Sequence, residues 1–105
     1  MGRFTYGDRI AVDFDDRLLA HLQAVISAKL RRGESCMFTW VDSDAVGDGR
    51  TSVWLHPGAS ISFKYFGKRG PQVNRAWVEE LMLSANTLGG LHVTTEPSAT
   101  NGAPQ

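Results

Sequence analysis

Cysteine is almost absent: Cys36 is the only one in 105 residues. A lone thiol forms no internal disulfide and builds no cysteine-based zinc site, so burial and hydrogen bonding must hold the fold. Charge of one sign is also missing in excess. Lysine plus arginine equals aspartate plus glutamate at 11 each, whereas a sequence-independent nucleic-acid binder shows a basic surplus. A local basic patch still fits inside a neutral total.

No apolar run reaches the roughly 20 residues of a membrane-spanning helix, and MGRFTYGDRI lacks the apolar core of a signal peptide. The expectation is a soluble protein of the reducing cytoplasm, without a membrane role. Met1-Gly2 has the start of a myristoylation site, but Tyr6 stands where that motif needs Ser or Thr. No glycine-rich phosphate loop is present, because Gly67-Lys68 is followed by Arg69 rather than Ser or Thr. Neither paired carboxylates nor a Ser-His-Asp set can be argued from spacing. No catalytic residue, metal or cofactor is therefore expected.

What is present is ordinary globular material, 42% hydrophobic and 21% charged, in a length suited to one domain. Residues 3–6 and 10–14 alternate around Gly7-Asp8 and predict a hairpin. Leu18, Leu22, Val25, Ile26 and Leu30 fall at helical spacing, with Leu19 widening the stripe. Asp15 is a suitable N-cap, Lys29, Arg31 and Arg32 suit the negative helix end, and Gly33 supplies a left-handed stop, so the helix spans about 16–32. His21 falls on its polar side.

Three strand-like runs follow, Cys36–Val41, Thr51–His56 and Ser60–Phe66, with the turn His56-Pro57-Gly58-Ala59 between the last two. They read as a three-stranded meander. A second helix opens at Asn74, stapled by Val73 and Val78. Trp77, Leu81, Met82, Ala85 and Leu88 form its buried stripe, and Gly89-Gly90 ends it. Leu91–Thr95 is a last strand. The expected order is ββ-α-βββ-α-β, an α+β two-layer sandwich with a mostly antiparallel sheet and both helices on one face. Residues 1–96 form the domain and Pro97–Gln105 a loose tail.

Strand alternation is the functional lead. If Val53, Leu55, Ile61, Phe63, Leu91 and Val93 face the helices, then Ser52, Trp54, His56, Ser62, Lys64, Phe66, His92 and Thr94 face away. With Lys68 and Arg69 in the adjoining loop, that face mixes aromatics, cations and hydroxyls. Such a surface serves contact with another protein or a second copy of the chain, stacking of single-stranded nucleic acid, or simple cover by loops. Protein contact is the first reading and nucleic acid the alternative. The same loop cations, with Arg75, also suit phosphate binding at a helix start.

Three further features have plainer explanations. Asp42, Asp44, Gly47 and Asp48 suggest part of a calcium loop, but the fifth and twelfth positions are Val46 and Val53, so an acidic hairpin loop fits better. His56 and His92 lack the additional ligands that a metal would need. Cys36, between Ser35 and Met37 on a strand, suits a core thiol.

The runs FDDRLLAHLQAVISAKLRRGESCMFTW (Phe14–Trp40), GRTSVWLHP (Gly49–Pro57) and NRAWVEELMLSAN with GGL (Asn74–Leu91) resemble a family of short actinobacterial proteins of unknown function. Its members are often labelled "ATP-dependent DNA ligase". Ligases of that class attach AMP to the lysine of a Lys-x-Asp-Gly motif. The nearest text here is Lys64-Tyr65-Phe66-Gly67, with Phe66 in place of the aspartate. The resemblance implies a compact domain with a link to DNA repair, and it assigns no site.

Overall fold

The computed structural model describes residues 1–42, 49–67 and 72–98. Among these, six strands and two helices follow the expected order: β1 (Gly2–Tyr6), β2 (Ile10–Phe14), α1 (Asp16–Arg31), β3 (Cys36–Val41), β4 (Arg50–Leu55), β5 (Ile61–Tyr65), α2 (Arg75–Ala85) and β6 (Leu91–His92). The fold is α+β. No helix among the described residues is long and apolar enough to cross a membrane.

Local chemistry sets both ends of α1. The Asp15 carboxylate accepts from the Leu18 amide at 3.3 Å, satisfying one of the helix's free N–H groups. At the other end Gly33 takes φ +77°, its amide donates to Leu30 and the Glu34 amide donates to Lys29. That pair of bonds is a Schellman motif, open to glycine because no Cβ opposes the left-handed backbone. Lys29 does not stand in solvent as a helix-end charge. It is buried, donating to Asn86 Oδ1 at 2.7 Å and pairing with Glu34 at 3.1 Å.

α2 stops one turn earlier than expected. Asn74 caps its start by accepting from the Ala76 amide, while Val73 is exposed, so no staple closes there. Its end is at Ala85, and Leu88 stands fully exposed instead of joining the buried stripe. The cause lies at Gly90, which takes φ +82° where a Cβ would come within 2.5 Å of the Met37 carbonyl oxygen. The chain must leave the helix early enough to turn there and run beside β3.

The strands divide into two three-stranded sheets, ordered β2-β1-β5 and β4-β3-β6. The expected meander is therefore broken: β5 leaves β4 and pairs antiparallel with β1, Tyr6 opposite Ile61. Two bonds explain the departure. The Gly7 amide donates to the Ser60 carbonyl at 2.8 Å, and the Tyr6 hydroxyl donates to the Trp54 carbonyl on the free edge of β4. That edge is occupied where β5 would have joined it. β6 lies parallel to β3, with Leu91 opposite Phe38.

The inner faces of the sheets meet through rings. Phe4 stands edge-on to Phe38 at 5.4 Å and to Trp40 at 6.0 Å, and Phe14 stands edge-on to Trp40. α1 covers β1 and β5, α2 covers β3 and β6, and the helices touch each other. Leu19, Leu22, Val25 and Ile26 from α1 close the core with Trp77, Leu81 and Ala85 from α2. Each large side chain fully buried there contributes about 1.5–3 kcal/mol.

Candidate interaction face

Period-two alternation in β3 and β4 sorts their side chains cleanly. Phe38, Trp40, Val53 and Leu55 point inward and are buried, which sends Met37, Val41, Arg50, Ser52 and Trp54 outward. Trp54 is 51% exposed and sits directly across from Met37 at 36%, and Val41 at the strand end reaches 78%. Between them Thr39 Oγ1 and Ser52 Oγ share a 2.6 Å hydrogen bond, and His92 lies beside Thr39 on β6. His92 Nδ1 is 2.9 Å from the Gly90 carbonyl, so that nitrogen donates and Nε2 is left to face outward contacts. No acid among the described residues lies within ion-pair reach of Arg50.

The residues expected to share one open face occupy different places. Trp54 and His92 do share the outer face of β4-β3-β6. His56 follows the end of β4, half-buried, where Nδ1 accepts from the Gly58 amide and shapes the turn. Lys64 and Phe66 belong to the end of the other sheet, the ammonium resting 5.6 Å above the Phe66 ring. Thr94 turns the opposite way from the simple alternation, because β6 ends at His92 and the Thr94 carbonyl and hydroxyl both accept from Trp77 Nε1 at 3.2 Å. Lys68 and Arg69 lie outside the described residues, as do Asp44, Gly47 and Asp48.

A buried polar junction escaped the sequence reading. His21 is expected on the polar side of α1, yet no part of it is exposed. Its Nδ1 donates to the Arg17 carbonyl and its Nε2 accepts from the Asn74 amide, both at 2.7 Å, while the ring stacks on Trp77 at 4.6 Å. Asn74 Nδ2 continues the chain to Glu96 Oε2 at 2.9 Å and to the Pro97 carbonyl at 3.1 Å. Arg17 grips Glu96 with two parallel bonds of 2.8 and 2.7 Å. The Arg17 guanidinium, then the Asn74 amide, holds the Glu96 carboxyl down to about 2. The first two residues of the expected tail, Pro97 and Ser98, are thus joined to a segment anchored on both helices. Asn74 was legible as a helix cap; nothing in the spacing announced its partners.

Cys36 is buried, and burial pushes its thiol upward, as suits a core position rather than a nucleophile. No group of three or more histidine, cysteine, aspartate or glutamate side chains among the described residues is placed to hold a metal.

A domain of unknown function, DUF7882, matches residues 1–96. The chain belongs to that family. No curated protein and no solved structure matches it. The DUF7882 span runs from β1 to Glu96, so it takes in both the outer face around Trp54 and the junction that Glu96 completes.

Proposed function

We propose that this DUF7882 chain is a small non-catalytic interaction module that meets a protein partner through the outer face of β4-β3-β6. One observation carries the reading: Trp54 and Met37, directly opposed across two strands, stand out from a sheet face that neither helix covers. Exposed tryptophan and methionine set among hydroxyls and a lone arginine match the makeup of contact surfaces, where aromatics and Met anchor and polar groups form the rim. A single buried thiol and a neutral net charge suit such a module in a reducing cytoplasm.

The nucleic-acid alternative, with its link to DNA repair, draws on Trp54, Lys64, Lys68 and Arg69, of which the last two lie outside the described residues. Lys64 lies on the other sheet from Trp54, beside the Phe66 ring, so these two do not share one platform. Protein contact is the better supported reading.

Photo-crosslinking tests it. A photoreactive side chain replacing Met37 should give one defined adduct in lysate, lost when Trp54→Lys is added and unchanged when the Lys64 end carries Phe66→Ser. Adducts that ignore Trp54→Lys would contradict the proposal.

A further inference from the structure

The four outermost strands differ sharply in how their edges are protected. On β4 the outward carbonyl of Trp54 is taken by the Tyr6 hydroxyl. β6 is two residues long, and β5 presents Lys64 with no acid beside it on that strand, a feature that discourages pairing. β2 has none of these defences.

Its free groups can be identified. Because the Gly7 amide bonds Ser60, the backbone groups of Arg3 and Thr5 also turn toward β5, and those of Gly2, Phe4 and Tyr6 turn toward β2. Ile10, Val12 and Phe14 are their partners. The amides and carbonyls of Ala11 and Asp13 therefore lie along an edge that no strand among the described residues pairs with. That edge borders an open cleft lined also by Trp40, Val41 and Thr51.

The exposed side chains on this edge read Arg9, Ala11, Asp13: a cation, a small neutral residue, an anion. Turned about a two-fold axis through Ala11, the pattern is its own complement. We infer that a second copy of this chain pairs antiparallel along β2, placing each Arg9 against the other copy's Asp13 and joining two three-stranded sheets into one of six strands. Arg3 already holds Asp13 at 2.8 Å, and the carboxylate has lone pairs left for a second guanidinium. The inward Ile10 and Val12 of one copy then fall beside Val12 and Ile10 of the other, extending the apolar layer. This association needs neither Met37 nor Trp54 and does not depend on the role of their face.

Sedimentation equilibrium of the full chain tests the inference. Twice the mass of one chain is expected for the native sequence. Ala11→Pro removes an outward N–H without touching a β1–β2 bond and should weaken association at least about tenfold. Arg9→Glu and Asp13→Lys should each give single chains alone, and mixing the two should restore the double mass, because both facing pairs again have opposite signs. Trp54→Lys should leave the mass unchanged. Single chains for the native sequence at every concentration would overturn the inference. So would a mixture of the two charge variants that stays single, which decides the matter even if Ala11→Pro does not fold.

Discussion

His21 accepts the Asn74 amide proton at 2.7 Å, and this bond ties the middle of α1 to the cap of α2. The Arg17 carbonyl, accepting from Nδ1, fixes the tautomer in which Nε2 does so. Two backbone groups, one from each helix segment, thus depend on a single side chain that has no exposed surface.

Replacing His21 by alanine should accordingly be costly. The Asn74 amide loses its partner in a buried setting and the stack on Trp77 is lost with it, so a destabilisation of about 2–4 kcal/mol is expected. Urea unfolding followed by tryptophan fluorescence measures it. A change below about 0.5 kcal/mol, the size typical of surface sites, would show that the junction is idle.

Glu96 predicts an acid dependence. Its folded carboxyl is held at about 2, below the ordinary value of 4.5, by Arg17 and Asn74. A depressed carboxylate stabilises the fold above its unfolded value and loses that contribution as pH falls through the folded value. Melting temperature should therefore fall between about pH 4.5 and pH 2 more steeply in the native chain than in Glu96→Gln. Parallel curves for the two would refute a role for the Arg17–Glu96 pair.

Gly90→Ala tests the passage beside β3. An alanine there meets both a left-handed backbone and a Cβ 2.5 Å from the Met37 carbonyl, so the loss should reach about 2 kcal/mol or more. Gly7 also has positive φ but has open space around it, and Gly7→Ala should cost less. Thermal melts of the two variants, compared directly, check the order.

Lys64 should not become adenylated. Its neighbour two positions on is Phe66, whose ring lies under the ammonium, where the ligase motif has an aspartate. Incubation with labelled ATP and magnesium should leave no label on the chain. Label that disappears in Lys64→Ala would reverse this expectation.

Much of the fold was legible because its signals are local. The Asp15 cap, the Gly33 stop and the alternation over Thr51–Leu55 each depend on residues close in sequence, and each is found in place, with the strand running Arg50–Leu55. The divided sheet was not legible, since it rests on Tyr6 reaching Trp54 across 48 positions and on Gly7 bonding Ser60. His21 was misplaced for a similar reason. Helical spacing alone assigns it to the polar side of α1, and only the approach of Asn74 makes a buried imidazole favourable. The outward direction of Trp54 was legible because parity within β4 is local, whereas the company that it keeps depended on which strands share its sheet.

The proposed role of the Trp54 face is tested most directly by fluorine NMR of the chain labelled with 5-fluorotryptophan, which gives one signal for each of its three tryptophans. With Trp40 and Trp77 buried, only the Trp54 signal should show a solvent isotope shift in the free protein, and it alone should move when the crosslinked partner is added. A Trp54 signal shielded from solvent in the isolated chain, or one that stays fixed while partner saturates, would contradict the account.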